Sequence, residues 1–150
     1  MIFFIVCLLT YQIEMVKKFT ILLYAAAATT FIAGILHTSR FIETISSGEQ
    51  IGNPDILFLV GGIAQVFWVV PIIRQWGKTW YSIGIAGTAV FVLLWAITRI
   101  PENPITRRAG PVSTEAIIIQ IFQIAFIILS IIISMKSTNI KDSRINTETK

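Results

Sequence analysis

"YSIGIAGTAVFVLLWAIT", residues 81–98, carries no charged side chain and runs directly into Arg99. As a helix it is about 27 Å long, close to the roughly 30 Å of a bilayer's hydrocarbon core. In lipid every backbone N–H and C=O needs a partner within the segment, so a stretch of this kind is a helix. Reading it as a membrane span, and not as a buried core helix of a soluble domain, decides the fold. Composition supports that reading. Of 150 residues, 55% are hydrophobic and only 13% charged, against roughly 25% charged in soluble domains. Mean hydropathy is +0.77. A water-soluble fold of this size would have to expose a large apolar surface.

Working outward, three more segments have the same character. The expected spans are about 19–39, 55–74, 79–99 and 114–135, with turn-like punctuation between them. "SSGEQIGNPD" (46–55) offers Asp55 as a cap for the second helix after Pro54. "QWGKTW" (75–80) is a tight turn, with Trp76 and Trp80 at interface depth. "PENPITRRAGPVST" (101–114) is a stiff, basic loop whose Ser113 or Thr114 caps the fourth helix. The fold class is therefore all-α, a four-helix transmembrane bundle occupying residues 19–136. Pro71 lies inside the second span and removes the hydrogen bond to Phe67.

The ends differ from the bundle. Residues 137–150, "STNIKDSRINTETK", read as a polar, disordered tail. Residues 1–18 read as an apolar extension or interfacial segment, because "MIFFIVCLLTYQI" is only about 20 Å long as a helix. It has no basic leader and no small-residue cleavage site, which argues against a signal peptide. "MVKKF" (15–19) would itself serve as a start, and a fifth span is the remaining alternative. Eight of the twelve basic residues flank one membrane face: Lys17, Lys18, Arg74, Lys78, Lys136, Lys141, Arg144 and Lys150. Arg40, Arg99, Arg107 and Arg108 flank the other. The positive-inside bias puts both termini in the cytoplasm, in a multi-pass protein of the cell membrane.

One cysteine, Cys7, and one histidine, His37, exclude an intrachain disulfide, thiol-oxidising Cys pairs, bis-histidine haem and a Cys/His zinc site within one chain. The net charge of +4 is modest, and no basic stripe interleaved with aromatics points to nucleic acid. No catalytic residue, metal site or cofactor site is identified. Lipid is the expected surrounding, with other membrane subunits or further copies of the chain as partners.

Small and polar residues, with a few larger ones between them, recur on one face of each oily helix. They are Ala26, Thr30, Ala33 and His37 in the first, and Gly61, Gln65 and Trp68 in the second, with Gly62 alongside. Gly84, Thr88, Phe91, Trp95 and Thr98 follow in the third, beside Arg99. Ala116, Gln120, Gln123, Ile127, Ser130 and Ser134 line the fourth. Such faces let helix backbones approach and hydrogen-bond across the bundle. They also permit a polar ligand path. His37, Asp55, Gln65, Trp95, Arg99, Glu115, Gln120 and Gln123 form the candidate polar site, most of them near the extracytoplasmic end. Arg99 stands four residues after Trp95, so its guanidinium reaches the indole face. Three readings compete for it: an inward ion pair with Asp55 or Glu115 that closes the mouth beneath a proline-stiffened lid, binding of an anionic ligand or lipid headgroup, and snorkelling to the interface. His37 with Asp55 and Glu115 would give one nitrogen and two carboxylates, tolerable to a divalent metal but without any spacing signature; a hydrogen-bonded histidine is the plainer expectation.

"AGILH" (33–37), "LVGGIAQVFWVV" (59–70) and "LLWAITRIPENPITRRAGPVSTE" (93–115) together resemble a family of small four-helix integral membrane proteins found mainly in bacteria and archaea. That family's pattern has a His closing the first helix and a Gln-x-x-Trp-like stretch in the second. A Trp-x-x-Thr/Ser-Arg ends the third, and a Gly/Pro-Val loop leads to an acidic residue before the fourth. The matching positions are His37, Gln65 with Trp68, Trp95 with Thr98 and Arg99, Pro111 with Val112, and Glu115. The loop departs from the pattern, with prolines where the family has glycines. The resemblance implies the bundle and its polar positions, and no reaction.

Small size, short loops and the lack of a catalytic set favour an accessory or scaffold subunit of a larger membrane complex. The alternative is a protein that binds or transports a small solute or lipid headgroup through a polar mouth at the extracytoplasmic end. An enzyme acting at the outer surface would need a nucleophile or metal that the sequence does not display.

Overall fold

The computed structural model describes the backbone of residues 2–148 apart from 106, 108 and 111, and the side chains of residues 10–137 apart from those three and residue 12. Arg108, counted above among the flanking charges, and Pro111, part of the family pattern, lie outside the described residues. So do the side chains of Cys7 and of the tail from residue 138 on.

Four helices make up the fold: α1 (Ile2–Ser46), α2 (Asn53–Ile73), α3 (Lys78–Ile97) and α4 (Thr114–Glu148). All four are long and apolar enough to cross a membrane, and no strand occurs among the described residues. The protein is thus an all-helical bundle of the kind that fits a multi-pass integral membrane protein. Short α1–α2 and α2–α3 connections make those neighbours antiparallel. α1 packs most extensively on α2 and then on α4, while α3 rests mainly on α4 and touches α2 least.

The apolar segments set the helices' middles, but three ends run further than hydropathy implies. α1 continues past residue 39 to Ser46. Its extra turns are rich in Ser and Thr, yet these hydroxyls donate back to carbonyls three or four residues earlier, as in Thr38 to Gly34, Ser39 to Leu36 and Ser46 to Ile42. Such bonds let hydroxyl residues sit inside a helix without competing for its ladder. His37 therefore does not close the first helix. At the other end α1 is unbroken back to Ile2. α4 likewise continues through the polar tail to Glu148, where a disordered segment was expected from residue 137.

Caps follow local chemistry. Ser113 Oγ accepts from Ala116 N at 3.2 Å and starts α4. Asp55 acts differently from the simple cap expected of it. Gly52 is the N-cap, and Asp55, three residues on, accepts from the Gly52 N–H at 2.8 Å.

Lipid-facing positions carry Ile21, Val60, Ile63, Val90, Leu93, Ile121 and Ile128, all more than half exposed within the bundle. The interior is divided along its length. Toward the termini, Leu23, Ala26, Ala27, Ile72, Tyr81, Phe126 and Ile133 form an apolar core. Toward the α1–α2 and α3–α4 loops buried polar side chains predominate, namely Thr30, His37, Gln65, Thr88, Gln120 and Gln123 beside Ala33 and Ile119, while Ser130 lies buried in the apolar half. Glycine makes this possible where α1 meets α2. A Cβ on Gly34 would stand 2.8 Å from the Gly62 carbonyl oxygen, and one on Gly62 would strike Thr38 Oγ1.

Candidate functional site

The polar half of the bundle opens into a cavity of about 540 Å³ at the end carrying the α1–α2 and α3–α4 loops. Each helix supplies part of its wall. α1 gives His37, Arg40 and Thr44, α2 gives Asp55 and Phe58, α3 gives Trp95 with Arg99 just beyond it, and α4 gives Ala116, Ile119 and Gln120. The cavity reaches the surface among Glu43, Ser47 and Glu49, which are exposed.

His37 is the deepest titratable group in that wall. Its ring stacks on Phe58, with centroids 5.5 Å apart, and lies tilted against Phe91 at 5.9 Å. Gln123 Nε2 approaches His37 Nε2 at 2.9 Å. With the amide so oriented, its N–H donates to the ring lone pair, and a neutral ring then carries its proton on Nδ1. That Nδ1 is buried and has no hydrogen-bond partner. His37 is thus a hydrogen-bonded histidine, as the plainer reading of the sequence has it, but only at one nitrogen.

Arg40 is the organising cation. Its Nη2 lies 2.8 Å from Glu115 and its Nη1 3.1 Å from Glu43. It also reaches Ser113 Oγ at 3.5 Å, so it ties the far end of α1 to the start of α4. Asp55 is held by Thr44, whose Oγ1 donates to Oδ1 at 3.0 Å, and by the Gly52 N–H. The carboxylates expected to pair with Arg99 are therefore engaged elsewhere, and among the described residues Arg99 makes no ion pair. The reason is the length of α1. Because the helix runs on to Ser46, Arg40 stays on its inner face, one turn past His37, and meets Glu115 first.

Arg99 instead folds over Trp95, its guanidinium carbon 5.4 Å from the ring centroid. The loop closes around it. Gly110 N donates to Thr98 O at 3.0 Å, and a side chain on Gly110 would collide with the Arg99 guanidinium. Asn103 holds the loop's first half, accepting from Ile105 N and donating to Ile100 O, while its carbonyl accepts from Arg107 N. It is 3% exposed. Two loop residues adopt positive φ, Glu102 at 55° and Arg107 at 54°.

Of the residues singled out from sequence, His37, Asp55, Trp95, Arg99 and Gln120 line the one cavity. Glu115 stands behind it on Arg40, and Gln123 behind it on His37. Gln65 lies elsewhere, on a smaller cavity of about 110 Å³ between α2 and α3, with Thr30, Gly84, Gly87 and Thr88. Its backbone carbonyl accepts from Thr30 Oγ1 at 2.9 Å. Arg40, Thr44, Phe58 and Asn103 were not selected from sequence. Arg40 had a usable signal, since it follows His37 by three residues and precedes Glu43 by three. Asn103 had none beyond its place between two prolines.

No group of three His, Cys, Asp or Glu side chains gathers to hold a metal ion among the described residues, so His37, Asp55 and Glu115 do not form the ligand set considered from sequence. The wall is a mixture of hydrogen-bond donors, acceptors and aromatic faces without an activated nucleophile. No family model, curated protein or solved structure matches the chain.

Proposed function

We propose that this chain binds a small polar solute or a lipid headgroup in the mouth cavity, in a cell-membrane bundle with both termini on the cytoplasmic side. The observation that supports it is the cavity itself, of a volume ordinary for small-molecule sites, with buried polar atoms on its wall that lack partners. His37 Nδ1, Trp95 Nε1, Arg99 Nε and Gln120 Oε1 are all in that condition. Leaving such groups unsatisfied costs about 1–3 kcal/mol each, which an occupant would recover. The apolar core toward the termini favours a site that opens at one end, so binding comes first and passage across the membrane would need a second conformation.

The accessory-subunit reading rests on size and short loops. The cavity gives the binding reading a specific feature, and we place it first for that reason. Native mass spectrometry of gently extracted protein separates the two. A small molecule or lipid retained one-to-one, and lost when Ala116→Leu narrows the cavity, is the expected result. An empty mouth in a stable complex with other polypeptides would overturn it in favour of the accessory role.

A further inference from the structure

Resting on that reading, we infer that the mouth ligand presents an oxyanion, a phosphodiester or a carboxylate, to Trp95, Arg99 and His37. The argument is one of donors and acceptors. An indole N–H and a guanidinium N–H can only donate. Trp95 and Arg99 both line the cavity, and within them Trp95 Nε1 and Arg99 Nε are buried and unpartnered. His37 adds Nδ1, a buried and unpartnered ring nitrogen that is an N–H donor in the tautomer whose Nε2 accepts from Gln123. Two obligate donors beside this nitrogen call for an acceptor-rich group. His37 is 5% exposed and packed against Phe58 and Phe91, and Gln120 is 7% exposed.

Charge is divided across the mouth. Glu43 and Glu115 outweigh Arg40 on one side, whereas Arg99 has no carboxylate partner among the described residues and is the cation left for an anionic group. Its guanidinium, stacked on Trp95, is the group by which arginine holds carboxylates and phosphates. Gln120 Oε1 is the acceptor on the same wall, suited to a hydroxyl or amine next to the anionic group. Asp55 and Glu49 on the α1–α2 side favour a single negative charge over a dianion. A phosphodiester headgroup and a free carboxylate or phosphate share this chemistry.

The test uses the full chain, delipidated in a neutral detergent, and follows thermal unfolding. Free anions are supplied as acetate and as inorganic phosphate at constant ionic strength. The lipid source is supplied as a short-chain phosphatidylglycerol beside the matched diacylglycerol, which has the same chains and no phosphodiester. Expected is a saturable rise in melting temperature with phosphatidylglycerol or with the free anions, and none with diacylglycerol; which arm responds identifies the source. Trp95→Phe keeps the ring and removes one donor, and should weaken apparent affinity about tenfold or more. Arg99→Lys should weaken it further, and Arg74→Ala, at the opposite end, should not change it. Trp95→Phe and Arg99→Lys are mild enough to keep the test open if Arg99→Ala does not fold. An anion response identical in wild type and both mouth variants overturns the inference. So does a mouth that retains an uncharged ligand sensitive to Gln120→Leu, although the binding reading then stands. A mouth that holds nothing in either experiment removes both.

Discussion

Gly34 and Gly62 face each other across α1 and α2 so closely that a Cβ on either would stand 2.8 Å from the other's carbonyl oxygen. Backbone cannot yield as a flexible side chain can. Gly62→Ala should therefore force the two helices apart and destabilise the bundle by about 1–3 kcal/mol. Gly87→Ala is the control, because its Cβ would meet nothing within 4 Å, and it should stay within about 0.5 kcal/mol of wild type. Denaturation in detergent compares them, and equal stabilities would contradict the close approach.

The His37–Gln123 contact ties α1 to α4 inside the bundle. A double-mutant cycle with His37→Phe and Gln123→Leu should give a coupling energy of about 0.6–1.7 kcal/mol, the range for hydrogen bonds between membrane helices. The single variants should each cost more than the double one implies, since each strands a polar partner. A coupling indistinguishable from zero would mean that the contact contributes nothing.

Arg40, not Arg99, is the partner of Glu115. The two side chains are about a third exposed, 36% and 31%, so the pair is worth only about 0.2–1 kcal/mol and weakens with salt. A cycle between Arg40→Ala and Glu115→Ala should show that coupling at low ionic strength. The equivalent cycle between Arg99→Ala and Glu115→Ala should show none. Coupling in the second and not the first would reverse the assignment.

Asn103 organises the α3–α4 loop through both ends of its amide. Asn103→Ala should cost about 1–3 kcal/mol locally by leaving buried loop groups unsatisfied. The readout is faster protease cleavage within residues 101–111 at an unchanged global melting temperature. An unchanged cleavage rate would show that the prolines alone hold the loop.

The four spans were legible because lipid imposes one rule on a long apolar segment, and periodicity then located the inner faces. Ala26, Thr30 and Ala33 recur at helical spacing and are buried, as are Gln65, Thr88, Gln123 and Ser130. What hydropathy cannot give is where a helix stops once it leaves the oil. Thr38, Ser39 and Ser46 look like loop residues to a hydropathy reading, yet they back-bond within α1. That misplaced Arg40, and with it the partner of Glu115. Asp55 was recognised as a capping residue but assigned the wrong position, because Gly52 as N-cap offers no side chain to read. Gln65 shares its helical face with Trp68 and not with the mouth, and only the splay of α2 from α3 reveals that it lines a different cavity.

The unbroken α1 has a mechanical consequence. Its 45 residues make a rod about 68 Å long, roughly twice the oily slab it crosses. Arg40 grips one end of that rod at the cavity wall, and no Pro or Gly pair interrupts it on the way to the other. Any tilt induced where a ligand seats would be magnified at the distant tip, as a pointer amplifies the turning of its pivot.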